Sequence, residues 1–330
     1  MLFSGTKRSL ATEVHHCEFV NGHDVYLFGD SMRFHHNLVD NFNDDGLALI
    51  NDTTNIRIHE NVVTNSHTAL SFDGERIGPV WIYRNLFDTR QPTLGNRPPA
   101  PPPPDMSLRT GVFYKDGKTD GPIDFFHNTC LVRTPGMTGI DDEDIMRAAY
   151  TLHRDQTKTH IRRTFNNIFA SANYDPEPKQ PLAFLPQEGF GPSDGNCYYR
   201  FREDDDHTEW FWAAGKRPRD DFNDYQDEQE NEHRSEYADP GFLTIDPQQP
   251  EPVLTDDLRL RDGGGAAERG VRLDDVAPEL WDLDKVVTGE DHSPAEPDAG
   301  CYARPTFLGI TLPLPPGPLK VGVKARHHYP

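Results

Sequence analysis

The sequence predicts an all-β chain wound as a right-handed parallel β-helix and closed by an irregular C-terminal capping region. Three observations predict it. A six-residue strand segment recurs with a basic period near 24 residues. An Asn holds the same place in nearly every recurrence. A second short strand precedes most of the early segments.

The recurring segments are VHHCEF (14–19), FHHNLV (34–39), IHENVV (58–63), IYRNLF (82–87), FFHNTC (125–130) and TFNNIF (164–169). Their shared position is filled by Cys17, Asn37, Asn61, Asn85, Asn128 and Asn167, at spacings of 20, 24, 24, 43 and 39. The first three steps are single coils, and the last two are a coil plus an insertion. No coil this short buries a core alone. Stacking gives each backbone group a partner above and below, and lets the Asn amides bond along the axis as a ladder. The partner strands are VYLF (25–28), LALI (47–50), ALSF (69–72) and VFYK (112–115), with polar corners such as NDTT (51–54) and DGER (73–76). A hairpin sandwich would show tight turns and no constant Asn-to-Asn period.

Coils are expected over 1–200, interrupted by insertions at 88–110 and 131–159. The first insertion carries the stiff run RPPAPPPPD (97–105) and the second GIDDEDIM (139–146). Both are expected to leave at a coil corner and project over one face. Residues 201–330 are expected to form an acidic, Trp-rich segment and a tail that packs on the solenoid and caps its open end.

The 330 residues carry 33 Lys and Arg against 54 Asp and Glu, a net charge of −21. Such acidity argues against a nucleic-acid partner, because phosphate binding needs cationic side chains. It is compatible with Ca²⁺, which takes carboxylate oxygens, and with plain solubility. The four cysteines, Cys17, Cys130, Cys197 and Cys301, form no CxxC pair and predict no zinc site. No apolar run is long enough to span a membrane. The first residues, MLFSGTKRSLATEV, lack the apolar stretch of a signal peptide. A natural N-terminus upstream, with a signal and further coils, is the expectation.

The order of features after Asn167 carries a resemblance. GNCYYRF (195–201) is followed by a Trp-rich stretch (Trp210 to Gly215), then ADPGF (238–242), DDLRL (256–260) and PDAGCYAR (297–304). This order resembles the C-terminal portion of secreted β-helix proteins of the pectate-lyase-like superfamily. The likeness covers about 15–304. It departs at GGGAAERG, where the family has a small-residue SPA segment. The resemblance implies an extracellular or cell-surface location, a polysaccharide partner, a monomer, and Ca²⁺ held by strand-borne acids. It is specific for fold and much less so for activity.

Stacking turns residues a coil apart into neighbours about 4.8 Å apart, so columns matter more than linear motifs. Three columns emerge when strands are aligned by their ends. His23, Asp45, His67 and Thr110 precede the early strand; imidazoles flanking a carboxylate could orient a base or hold a divalent metal. Corner residues that cap backbone groups would look the same. Asp30, Asp52, Asp73 and Asp116 close that strand and form the candidate Ca²⁺ ladder; turn chemistry alone also explains them. His15, His35, His59, Tyr83, Phe126 and Phe165 face outward, either as a sugar-stacking stripe or as a ladder covered by the tail.

The segment DNFNDDGLAL (40–49) is similar to the strand of polygalacturonase-type hydrolases that carries paired acids, here Asp44 and Asp45. The G-H-G and R-I-K elements of that family do not follow, and GHD (22–24) precedes the acids instead. The R-x-P-x-x-R element of pectate lyases is absent from RQPTLGNR (90–97). A lyase would need a cation beside the uronate carboxylate, for which Arg33, Arg57, Arg76 and Arg84 are candidates.

The expected function is therefore a polysaccharide lyase or glycoside hydrolase. Its catalytic candidates are His23, Asp44, Asp45 and His67, and its substrate-binding candidates are His35, His59, Tyr83, Arg33, Arg57 and Arg84. The alternatives are a non-catalytic glycan-binding or surface-interaction module, and a truncated enzyme whose site straddles missing coils.

Overall fold

The computed structural model describes residues 2–4, 12–42, 44–66, 68–74, 76–90, 112–116, 121–132, 150–151, 162–172, 183–184, 192–201, 211–213, 217–219, 222, 226–227, 232–245, 258–288 and 299–300. His67, Thr110, the Pro run, the 139–146 segment and Cys301 lie outside the described residues.

Three all-parallel sheets form the faces of a prism, and the chain visits them in turn. The first contains Leu2–Ser4, Tyr26–Phe28, Asp45–Ile50, Thr68–Asp73 and Val112–Asp116. The second runs from Thr12–His15 through Met32–His35, Ile56–His59, Val80–Tyr83, Ile123–Phe126 and Arg162–Phe165 to Ser193–Asp194. The third runs from Glu18–Gly22 through Leu38–Phe42, Val62–Thr64, Leu86–Thr89, Thr129–Val132, Ile168–Ala172 and Cys197–Phe201 to Glu236–Tyr237. A small fourth sheet joins Tyr150–Thr151, Ala183–Phe184, Phe211–Ala213 and Arg217–Arg219.

Each corner has its own device for bending the chain. Between the second and third sheets, His16, His36, Glu60, Arg84, His127 and Asn166 all adopt φ of 53–56°. That left-handed conformation turns the strand sharply before the next residue, which is the ladder position. Gly195 continues the column with φ 70°, where a Cβ would strike the Asn166 side chain. The ladder then runs as the spacing predicts. The Oδ1 of Asn61 accepts both the backbone N–H and the Nδ2 of Asn37, each at 3.0 Å. Asn85, Asn128, Asn167 and Asn196 repeat the pattern. Cys17 begins it through its backbone N–H, and Ser235 Oγ ends it by accepting from the Asn196 N–H.

A second αL column, Asn21, Asn41 and Asn65, bends the chain between the third and first sheets. A third, Ser31 and Asn55, lies between the first and second. Asn and Ser pair across coils there as well: Asn41 Nδ2 donates to Asn21 Oδ1 and Asn55 Nδ2 to Ser31 Oγ. Asn tolerates φ > 0 better than most residues, which is why it marks these corners.

Inside the prism, Leu27, Leu49 and Phe72 face Phe34, Ile58, Ile82 and Phe125, and Val39, Val63, Phe87 and Phe169 close the third side. Phe222 packs against Tyr198 at the end of this core, with ring centres 5.5 Å apart and planes tilted by 60°. Other described parts of the tail pack along the outside of the prism. Phe242, Ile245, Leu258, Leu260 and Ala266 pack with Leu131, Ile168 and Ala170 of the third sheet. Two helices, α1 (Leu273–Val276) and α2 (Pro278–Thr288), lie on the second sheet.

Candidate functional site

The residues proposed to act together fall on two opposite parts of the prism. His23, Asp44 and Asp45 lie where the third sheet passes into the first. Arg33, Arg57, His35, His59 and Tyr83 lie on the second sheet, and Arg84 at its far edge.

At the first of these places the backbone does something strand counting misses. Asp44 N–H donates to His23 O, and Ala48 N–H to Val25 O. Both links join the same pair of coils, yet the chain takes four steps from Asp44 to Ala48 and only two from His23 to Val25. The extra residues bulge, and Asp24 is drawn against Asp44 and Asp45. Asp24 is buried; its Oδ1 accepts the Asp45 N–H at 3.0 Å and its Oδ2 the Tyr26 hydroxyl at 2.6 Å. That hydrogen bond to a carboxylate, aided by burial, pushes the Tyr26 phenol up to about 12. His23 is exposed, with Nδ1 3.5 Å from Asp24 Oδ1 and 3.9 Å from Asp44 Oδ2. One donor atom from each of His23, Asp24 and Asp44 falls within 4.8 Å of the others. Asp45 is buried and accepts from Ser71 Oγ at 2.6 Å.

The cluster therefore includes Asp24, which end-aligned columns left out. Its sequence signal is the GHD at 22–24, which lies outside a predicted strand that begins at Val25. The register also changes the third coil of the column, since Thr68 rather than residue 67 is the partner of Asp45.

The same corner is where the chain makes its long departures. It leaves the third sheet at Thr89 and re-enters the first at Val112; after the next third-sheet strand, at Val132, it makes a second long excursion.

The four acids of the expected Ca²⁺ ladder do not stack. Asp73 pairs with Ile50, Asp116 with Phe72, and Asp30 with Thr54. Asp52 is bound by Arg76 at 2.8 Å, and Asp30 accepts from the Thr54 hydroxyl at 2.8 Å. The strands they close differ in length, three residues in Tyr26–Phe28 and six in Asp45–Ile50, so their ends are not equivalent. Asp30, Asp52 and Asp73 thus do not lie in register one above another.

The outward stripe on the second sheet is in register throughout, from His15 through His35, His59, Tyr83 and Phe126 to Phe165. Its rings stack face to face, at 5.2 Å for His15–His35, 4.7 Å for His35–His59, 4.9 Å for His59–Tyr83 and 4.7 Å for Tyr83–Phe126. It divides in two. Tyr83, Phe126 and Phe165 are buried with Val271, Leu273, Ala277 and Leu280 of the tail. Tyr83, at 1% exposure, is thus a packing residue and not a sugar platform, because the tail's helical segment occupies its face. His59 is buried as well, whereas His15 is exposed and His35 partly so. Beside the stripe, Arg33 and Arg57 are register partners, and the Arg57 guanidinium lies 5.8 Å from the ring centre of Trp81.

Protein-family models, characterised proteins and solved structures were each compared with this chain, and none matches.

Proposed function

We propose that this chain is a right-handed, pectate-lyase-like β-helix that hydrolyses an extracellular polysaccharide at the corner between its third and first sheets. The observation that carries the reading is the convergence of His23, Asp24 and Asp44 at the corner from which both long excursions depart. Asp44, half-buried beside exposed His23, is the group placed to give a proton to a glycosidic oxygen. Asp24, held by Tyr26 and the Asp45 N–H and within 4.8 Å of Asp44, is the carboxylate placed to attack the anomeric carbon. The glycosyl ester formed as the C–O bond breaks is then cleaved by water, which returns to Asp44 the proton it gave to the leaving oxygen.

Hydrolysis is favoured over elimination by where the cations lie. A lyase needs positive charge against the uronate carboxylate. Arg33, Arg57 and Arg84 belong to the second sheet and its edge, away from the acid corner. With a net charge of −21, the corner suits a neutral glycan. A second reading, non-catalytic glycan binding, draws on the Arg57–Trp81 pair as a stacking shelf.

Reducing-end release on a panel of neutral and acidic polysaccharides tests the reading. Neutral-glycan cleavage is expected, falling about 100-fold or more in Asp44→Asn and Asp24→Asn. Unsaturated products, or full activity in both variants, contradict it. Binding without cleavage, lost in Trp81→Ala and kept in Asp44→Asn, selects the second reading.

A further inference from the structure

The exposed half of the stripe contains a cluster that glycan hydrolysis does not use. His15–His16, His35–His36 and His59–Glu60 occupy the same two positions on three successive coils. The second residue of each pair is in the αL conformation, which swings its side chain back toward the first. Within each imidazole pair the rings are nearly perpendicular, at 83° and 77°, and the Nδ1 atoms face each other at 2.7 Å. Between coils the rings stack nearly parallel, His15 on His35 at 5.2 Å and His16 on His36 at 5.1 Å.

The far nitrogens of the middle pair are already committed. His35 Nε2 lies 2.8 Å from Glu13 Oε1, and His36 Nε2 lies 3.2 Å from Glu60 Oε2. An ionised carboxylate only accepts hydrogen bonds, so each Nε2 carries the proton. A neutral imidazole protonated at Nε2 has a bare lone pair at Nδ1. Two such lone pairs pointed at one another across 2.7 Å repel, and a cation between them removes the conflict. Imidazole nitrogens facing inward with carboxylates behind them are the arrangement that orients metal-binding histidines.

We propose that His35 and His36 bind a divalent transition-metal ion of the Zn²⁺, Ni²⁺ or Cu²⁺ class through their Nδ1 atoms, with Glu13 and Glu60 as orienting carboxylates. Nitrogen donors exclude Ca²⁺ and Mg²⁺ as the preferred ion. A tetrahedral Zn²⁺ with Zn–N bonds of about 2.0–2.1 Å places two nitrogens about 3.3 Å apart. The pair therefore opens by roughly 0.6 Å on binding, a small rotation for surface side chains. Water fills the remaining positions. The His15–His16 pair, one coil away, is a weaker second site, because Glu13 and Glu60 stand behind the middle pair.

Titration calorimetry of the full chain with Zn²⁺ tests this, together with the visible absorption of bound Co²⁺. Saturable Zn²⁺ binding is expected and is unaffected by excess Ca²⁺. His36→Asn keeps a residue that accepts φ > 0 and is expected to weaken binding about 100-fold. Glu60→Gln is expected to weaken it about 10-fold. His35→Gln, which leaves the αL position untouched, serves as a second deletion of a ligand, with the unfolding midpoint checked for each. Asp44→Asn is expected to bind as the unaltered chain does, which separates this site from the acid corner. No saturable binding, or binding kept in folded His36→Asn and His35→Gln, overturns the proposal, as does loss in Asp44→Asn alone.

Discussion

Asn85 is fully buried, and its amide meets five atoms of four residues. Its Oδ1 accepts the N–H and Nδ2 of Asn61, and its Nδ2 reaches the carbonyls of Ile58 and Tyr83 and the Oδ1 of Asn128. Asn85→Ala strands donors and acceptors that no water reaches. A loss of about 3 kcal/mol is expected, read from urea unfolding. Glu232 shares the end of the same ladder with Ser235. It is buried, and it accepts from Asn196 Nδ2 at 3.0 Å, from the Tyr198 hydroxyl at 2.8 Å, and from Ser193 and Ser235. Burial outweighs these donors and raises its pKa above the usual carboxylate range. The folded state then holds a proton that the unfolded chain has released. Stability from this group is present below the unfolded pKa and falls as pH rises from there toward the folded value. Unfolding measured across that range is expected to show the decline, and Glu232→Gln to lack it.

At the scale of elements, the two tail helices decide which part of the second sheet meets solvent. Leu280 is fully buried against Tyr83, Phe126 and Phe165. Arg163 ties the same helix down, bonding Asp124 through Nε and Nη2 at 2.7 and 2.9 Å and reaching Glu279 with Nη1. Leu280→Ala is expected to cost about 3 kcal/mol. Faster amide exchange should follow in α2 and in Val80–Tyr83, with little change in Met32–His35. Exchange that rises equally in both strands contradicts this division.

The strands, the ladder and the outward stripe were legible in the sequence because each recurs with identity and spacing intact. The acid columns were not. Counting from strand ends assumes equal strands, and the bulge between Asp44 and Ala48, which contains Gly46, breaks that assumption. The αL columns were also missed. His16, His36, Glu60 and Arg84 share a backbone conformation while their side chains run from imidazole to carboxylate to guanidinium, so no single letter marks the column. The burial of Tyr83 was invisible for a different reason: it depends on Leu280, nearly two hundred residues later in the chain.

Over the whole molecule, the prism separates two chemistries. Asp24, Asp44 and Asp45 gather with His23 at the corner between the third and first sheets, and His15, His35, His59, Arg33 and Arg57 gather on the second sheet. Each gathering depends on residues about two dozen apart lying one above another. Spin labels at Arg33→Cys and Arg57→Cys measure that directly, since the two positions are register partners on adjacent strands. The spectrum of the double variant plus that of the labelled unaltered chain, less those of the two single variants, cancels labels on native cysteines. Strong dipolar and exchange broadening is the predicted result, as for labels about 5 Å apart at their backbones. Sharp spectra that are the simple sum of the singles would contradict the stacked register and both sites built on it.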